Sequence, residues 1–257
     1  MPFASTDRLA AAALYRTSAG ILHSGLFYKW GSEVRVLHLA WDNDLQNHWP
    51  SEPQRLWAAP EFEPEKLLML RGRCDKIWRN YLKATEAAKD AAETQPKAAK
   101  INPLPYRYRF SLSEFTDRGL RLGPNADGLT CATFIITVFR SIGLILVDED
   151  GWPARTAEDL AFLDTIPKTK TTLPILPLLK EELASGAIRI RPEEVLGACE
   201  CQTPAGFADC VEKSKRIAAL LPPVTAPPEE FPPTPPPAEQ SRTKAGRKTS
   251  RAERRRR

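Results

Sequence analysis

The stretch ILHSGLFYKWGSEVRVLHLAWD, residues 21 to 42, contains two apolar and aromatic runs on either side of Gly31-Ser32. Runs of this kind around a glycine-containing pair are typical of two antiparallel strands joined by a tight turn. The sequence therefore predicts a β-hairpin at the centre of the fold. Each arm carries one histidine, His23 or His38, and the remaining histidine, His48, is predicted in a loop before a proline.

Helices are predicted on both sides of the hairpin. An alanine-rich run predicts a short helix over residues 7–17. Apolar residues at three- and four-residue steps predict an amphipathic helix over residues 62–93, either continuous or broken near Gly72. Further helices are predicted over residues 176–186 and 207–221.

Two short stretches have the alternating pattern of strands. YRYRF, residues 106–110, alternates aromatic and basic side chains, which predicts an exposed or edge strand. AIRIR, residues 187–191, alternates apolar and basic side chains and follows a helix closed by Gly186, so a short strand is predicted there.

Charge divides the chain into a core and a tail. The formal net charge is +5, but nine Lys and Arg with one acid, Glu253, give the residues from Arg242 onward +8, leaving −3 for the residues before it. Residues 222–237 contain nine prolines. Such a segment cannot bury enough apolar surface to offset its ordering entropy, so 222–257 is predicted to be a disordered tail, Pro-rich and then basic.

Composition also limits the cellular setting. No stretch has the roughly 18 to 20 consecutive apolar residues that a membrane span needs. The N-terminus lacks the basic-then-apolar order of a signal peptide, and five cysteines are too few and too irregular for a disulfide framework. These features predict a cytoplasmic protein with reduced thiols and no membrane span.

The stretch GLTCATFIITVFRSIG, residues 128–143, places Cys131 at the start of a predicted helix that ends at Gly143. Taken alone, a cysteine before an apolar run is most often a buried core thiol. However, a helix N-terminus and a nearby imidazolium both favour the thiolate, which is the nucleophilic form. His23 is the candidate base, and His38 is the candidate residue to orient it, following the general logic of nucleophile, base and orienter.

Together these segments resemble the circularly permuted NlpC-type papain-fold cysteine hydrolases. HSGLFYKWGSEVRVLHLAWD is similar to the histidine-bearing hairpin of that family, and TCATFIITVFRSIG to its nucleophile helix. The order His, His, Cys matches the lecithin:retinol acyltransferase branch. The resemblance implies that Cys131 is the nucleophile, His23 the general base and acid, and His38 the orienting residue.

Some positions differ from the family pattern. Thr130 stands where relatives often have Asn or Asp, and Ala132-Thr133 replaces the Glu-His of the acyltransferase branch. The two histidines are also farther apart in the chain than is usual. Asp42 and Asp44, which follow the second strand, are therefore alternative orienters of His23.

Polar residues outside the Cys131–His23–His38 set are candidates for other roles. An oxyanion needs preorganised donors, for which the backbone N–H of Cys131 and the hydroxyl of Tyr106 or Tyr108 are candidates. Cys199, Cys201 and Cys210 lack the paired spacing of a structural zinc site, and Cys74 is predicted to be a packing residue. No phosphate loop or dinucleotide motif occurs, so neither a cofactor nor a metal is expected.

The sequence thus predicts an α+β, papain-like domain over residues 1–221. It has a central antiparallel sheet, a nucleophile-bearing helix and a helical insertion at about 60–95. The expected function is a thiol hydrolase that cleaves an amide or ester bond, in a peptide or another substrate, through an acyl-enzyme on Cys131. Two alternatives remain open: an acyltransferase, and a non-catalytic protein whose tail, 222–257, binds an anionic partner or one that recognises Pro-rich motifs.

Overall fold

A computed structural model describes five parts of the chain: residues 3–17, 19–48, 55–61, 63–94 and 104–221. Within them the fold combines helices with an antiparallel sheet, which confirms the α+β class. The predicted tail, 222–257, lies outside the described residues, as do residues 95–103 after the predicted insertion. No helix in the described residues is long and apolar enough to cross a membrane.

The main sheet has five strands in the order β4-β3-β2-β1-β5, and each pair of neighbours is antiparallel. The predicted hairpin forms its centre, with the turn at Gly31-Ser32. The strands are β1 (Ala10–Arg16), β2 (Leu22–Trp30), β3 (Glu33–Trp41), β4 (Asp44–His48) and β5 (Arg55–Ala58). A second, two-stranded sheet pairs β6 (Glu114–Thr116) with β7 (Gly119–Arg121).

The helix predicted over residues 7–17 is wrong, because this segment contains strand β1. Four consecutive alanines, Ala10 to Ala13, are completely buried there. The strand pairs with β2 on one side and β5 on the other, so it is covered from both edges. Tertiary pairing has overridden the helical preference of alanine, and the small side chains let other elements pack closely.

The predicted helix over residues 62–93 is confirmed as one continuous helix, α1, with no break at Gly72. The predicted helices at 131, 176–186 and 207–221 are confirmed as well, and two more were not predicted. The helices are α1 (Pro64–Thr94), α2 (Cys131–Arg140), α3 (Thr156–Thr165), α4 (Leu176–Ala184), α5 (Pro192–Cys199) and α6 (Phe207–Ala219).

Helix α2 is the centre of the core. All of its residues except Arg140 are buried, and it packs against strands β2 and β3 and helices α1 and α5. Phe134 lies edge-on to Phe115 of β6, with ring centroids 5.5 Å apart. Because α2 is enclosed on every side, its N-terminal residue is held at a fixed position relative to β2.

The two stretches with strand-like alternation do not form ladder strands. In the segment 106–110, Tyr106, Tyr108 and Phe110 are buried, and its only described sheet-like contact is a single parallel bridge between Tyr106 and Leu129. The prediction of an exposed or edge strand is therefore wrong: the aromatic rings face the core, and the backbone bonds to loops. The segment 187–191 has no neighbouring strand within the described residues.

Candidate active site

The N-terminus of α2 is fixed by two threonines. The Thr130 hydroxyl accepts from the backbone N–H of Thr133 at 3.2 Å, and the Thr133 hydroxyl accepts from the backbone N–H of Thr130 at 2.7 Å. This reciprocal cap satisfies two donors that a helix start would otherwise leave unpaired. Thr130 and Thr133, which differ from the family pattern, thus have a local structural reason: they fix the turn that presents Cys131.

Cys131 is 5% exposed and lies beside His23, the second residue of β2. Burial raises the pKa of the thiol, but four effects outweigh it: the charge of His23, a hydrogen bond with the His23 imidazole, and one hydrogen bond each with the backbone and the side chain of Ser24. The resulting pKa of Cys131 is about 7, below its ordinary value of 9.0. A substantial thiolate fraction therefore exists near neutral pH.

The three histidines of the chain form one hydrogen-bonded row. His23 Nε2 lies 2.8 Å from His38 Nδ1, and His38 Nε2 lies 3.0 Å from His48 Nε2. The Tyr15 hydroxyl is 3.1 Å from the same His38 Nδ1. Strands β2, β3 and β4 each supply one histidine and β1 supplies Tyr15, so the pairing of the sheet sets the geometry of the row.

The row defines a consistent set of proton positions. Because His23 Nε2 is paired with His38, Nδ1 is the nitrogen left for the Cys131 thiol. If Nε2 of His23 carries a proton, it donates to His38 Nδ1, and His38 Nε2–H then donates to His48. This arrangement is the same whether His23 is neutral or doubly protonated, so His23 can gain or lose the Nδ1 proton without rearranging its neighbours.

His48 lies on β4 and not in the predicted loop, which corrects the sequence prediction. The strand was not predicted because DLQNH is polar and short, with none of the β-branched or aromatic residues that signal a strand. Its pairing with β3 places His48 opposite Val36, two residues from His38. The one sequence signal for His48 is its spacing from His38 across a tight turn.

Gly25 allows β2 and β3 to carry this row. A Cβ atom at this position would lie 2.9 Å from His38 Cβ and 3.1 Å from the carbonyl oxygen of Leu37. Neither neighbour is the far end of a flexible side chain, so any larger residue would displace His38. The glycine next to the histidine-bearing start of β2 therefore has a packing role in the site.

Two donors lie close to the Cys131 sulfur. Tyr106 is hydrogen-bonded to the Cys131 side chain, and burial, followed by the charge of Cys131, raises the pKa of Tyr106 well above its ordinary value of 10. The phenol therefore stays protonated and remains a donor at any physiological pH. The backbone N–H of Cys131 has no hydrogen-bond acceptor among the described residues, as expected for the first turn of a helix.

The aspartates suggested as alternative orienters have other contacts. Asp42 Oδ1 accepts from the backbone N–H of Tyr106 at 2.7 Å, while Trp41 stacks on the Tyr106 ring with centroids 4.5 Å apart. Asp44 accepts from the side chain of Gln46. Asp42 therefore positions Tyr106, and the partner that the structure places on His23 Nε2 is His38.

The site opens into a cavity of about 210 Å³ lined by His23, Cys131 and Tyr106. Its other walls are mainly apolar and come from the end of β3, helix α3 and the loop after it. Arg189 is the charged residue of the lining; its guanidinium lies 3.6 Å from the centroid of the Phe162 ring, and it is paired with Asp159. A small, largely apolar group next to the sulfur fits these walls.

The other cysteines have different surroundings. All five are free thiols, and burial raises the pKa of Cys74, Cys199, Cys201 and Cys210. Cys74 lies in the core, as its predicted packing role requires. Among the described residues, no group of three or more histidine, cysteine or acidic side chains could hold a metal ion.

Comparisons of the chain with family models, curated proteins and solved structures gave no match.

The pKa of Cys131 gives a direct test of its pairing with His23. Replacing His23 with Ala removes the charge and the hydrogen bond but leaves the thiol buried, so the pKa should rise from about 7 to at least the ordinary value of 9.0. At neutral pH the thiolate fraction should then fall by about 50-fold. The measurement is the pH dependence of iodoacetamide alkylation of Cys131, followed by peptide mass spectrometry.

Cys201 is the internal control, because it is half-buried and has no histidine partner. Its alkylation profile should be the same in both proteins. An unchanged Cys131 profile in His23→Ala would show that the imidazole does not set the thiol's ionisation.

Proposed function

We propose that this chain is a cofactor-independent thiol hydrolase that cleaves an amide or ester bond through an acyl-enzyme on Cys131. The observation that carries the proposal is the low pKa of Cys131, whose thiol is paired with His23 at a capped helix start beside a cavity. Every other cysteine with a shifted pKa in the described residues is shifted upward by burial. Ionisation is thus favoured at this cysteine alone among them.

In the first half-reaction the Cys131 thiolate attacks the substrate carbonyl carbon. A C–S bond forms, and the carbonyl π electrons move onto oxygen. As the tetrahedral intermediate collapses, the bond to the amine or alcohol breaks and His23 donates its Nδ1 proton to that leaving group. The products of this step are a thioester on Cys131, the free amine or alcohol, and neutral His23.

In the second half-reaction water hydrolyses the thioester. His23 Nδ1 removes a proton from the water as its oxygen attacks the thioester carbon. Collapse of the second tetrahedral intermediate breaks the C–S bond and releases the carboxylic acid product. The thiolate and the protonated His23 are restored, so the cycle needs no further reactant. His38 acts as a positioning residue that keeps His23 in the required tautomer.

Both tetrahedral intermediates place a negative charge on oxygen. The backbone N–H of Cys131 and the Tyr106 hydroxyl are the proposed donors to that oxygen, and Asp42 holds the Tyr106 backbone in place. Tyr108 lines the same cavity but has no hydrogen bond with the Cys131 side chain, so Tyr106 is preferred.

A permuted papain-like scaffold is part of the proposal. Its supports are the chain order of His23, His38 and Cys131, the antiparallel sheet that carries the histidines, and the buried helix that begins at the cysteine. Within α2, Ala132 is buried and Thr133 caps the helix, so neither position supplies a polar group for binding an acyl acceptor. Water is therefore the favoured acceptor over a second substrate.

Acylation of Cys131 tests the proposed chemistry. p-Nitrophenyl acetate should acetylate the wild-type chain at Cys131 and then turn over, whereas Cys131→Ser should show neither a hydroxylamine-sensitive thioester nor turnover above background. Intact-mass and peptide mass spectrometry identify the adduct, and p-nitrophenol release measures the rate.

Cys201→Ser is the matched control, because it removes a more accessible thiol that does not line the cavity of Cys131, and it should leave the rate unchanged. Equal turnover by the Cys131→Ser chain would reject the hydrolase. It would favour the alternative in which residues 222–257 act in a non-catalytic interaction protein.

A comparison of Tyr106→Phe with Tyr108→Phe distinguishes loss of an oxyanion donor from a general packing effect in the cavity. Tyr106→Phe should lower kcat for p-nitrophenyl acetate by about 10²- to 10³-fold, the usual effect of removing one oxyanion donor. Tyr108→Phe should have a much smaller effect. Alkylation of Cys131 by iodoacetamide forms no oxyanion, so in Tyr106→Phe its rate should change far less than kcat, through the lost hydrogen bond to the sulfur alone. Equal losses of kcat in the two variants would contradict the assignment of Tyr106.

His48 is expected to act through His38. His48→Leu removes the acceptor for His38 Nε2–H and should lower kcat by about 10-fold, equivalent to one lost hydrogen bond, with KM nearly unchanged. His48→Gln places an amide oxygen at the same end of the row and should recover most of the rate. Steady-state kinetics with p-nitrophenyl acetate compares them; if the Gln and Leu variants are equally impaired, His48 does not position the row through that bond.

A further inference from the structure

The segment 187–191 has the sequence of a strand but lacks a strand partner. Its residues show neither turn nor bend, and Arg191 at its end is extended, with φ −87° and ψ 150°. The segment runs between helices α4 and α5. Alternating apolar residues in extended backbone normally mark a strand that pairs with another. In this fold the described residues supply no such neighbour.

The backbone polar groups of this segment are unevenly satisfied. Ala187 N–H donates to Glu182 O at 2.9 Å, and Arg189 C=O accepts from Arg155 Nη2 at 2.8 Å. For Ile188 and Ile190, neither the N–H nor the C=O has a hydrogen-bond partner among the described residues. Buried backbone groups are almost always paired, and Ile190 is only 2% exposed.

Strand geometry places these free groups on one edge. In extended backbone the N–H and C=O of one residue point to the same side, and successive residues point to opposite sides. The bond from Arg155 to Arg189 therefore uses one edge. The groups of Ile188 and Ile190 form the other, with two donors and two acceptors at the spacing that an added strand requires.

This edge connects the nucleophile to a second cavity. Ile190 lines the cavity that contains Cys131, and both Ile188 and Ile190 line a neighbouring cavity of about 500 Å³. Tyr108 also borders both. An extended chain paired with this edge would therefore run from the reacting sulfur into the second cavity.

The second cavity holds an independent sign of a ligand. Trp152 is 4% exposed and lines this cavity, and its buried indole N–H has no hydrogen-bond partner among the described residues. Indole nitrogen is a donor only, and a buried one usually finds an acceptor. A peptide carbonyl is an acceptor of the right kind.

We propose that the substrate is a polypeptide in extended conformation, which docks as an added strand on the Ile188–Ile190 edge. That the docked polypeptide is a substrate rests on the proposed function. The docking edge itself does not depend on that function. Main-chain hydrogen bonds would provide affinity with little dependence on sequence, and the second cavity would accept a side chain from the docked peptide.

Ile188→Pro tests the edge, because it removes one backbone donor and keeps an apolar side chain. The probes are p-nitrophenyl acetate, which is too short to lie along the edge, and a set of capped octapeptides of mixed sequence, whose cleavage is followed by mass spectrometry. In Ile188→Pro the ratio of peptide cleavage to ester hydrolysis should fall at least 10-fold, an effect comparable to losing one or more hydrogen bonds. Ile188→Val, the matched control, should keep the wild-type ratio.

Amide hydrogen exchange provides a second measurement that needs neither catalysis nor a proline. In Cys131→Ala mixed with the same octapeptides, exchange at Ile188 and Ile190 should slow, and exchange at Arg189 should not. The proposal is overturned if all three amides exchange equally with and without peptide, or if Ile188→Pro keeps the wild-type ratio. Ester turnover that is independent of Cys131 would reject the hydrolase alone, since the exchange pattern would still decide the docking edge.

Discussion

Antiparallel pairing of β2 with β1 and β3 is the constraint on which the rest of the site depends. It places Tyr15, His23 and His38 on three successive strands, and the β3–β4 pair adds His48. The histidine row exists only while these strands keep their register, because a shift of one residue would turn a histidine to the opposite face. The close approach at Gly25 ties this register to the position of His38.

Electrostatics then distinguish one cysteine from four that are chemically identical. Burial alone raises a thiol pKa, as it does at Cys74 and Cys199 in the core. Cys131 is as deeply buried, yet its pKa is lowered because His23 and the Ser24 backbone stabilise the anion. The decisive difference is the partner supplied by β2, so the reactivity of the thiol depends on sheet geometry more than on its own helix.

The sequence predicted those parts of the fold whose signals are local. The hairpin, α1 and α2 follow from periodicity and a turn signal, and the closeness of Cys131 to His23 follows from the resemblance. Strand β1 was missed because its four alanines become a strand only through pairing on both edges. His48 was missed for a similar reason: a polar five-residue strand has no signal of its own until β3 lies beside it.

The segment 187–191 shows the opposite case. Its sequence has a clear strand pattern, but no strand among the described residues pairs with it. Its alternation is that of a strand, but among the described residues one edge of it is unpaired, close to Cys131. Unpaired buried polar groups cost free energy, so a fold keeps few of them without a reason. Here the unpaired groups of Cys131, Ile188, Ile190 and Trp152 border two adjoining cavities. A single bound polypeptide would provide hydrogen-bond partners for all of these groups at once. Without it, each unpaired group would need its own structural explanation.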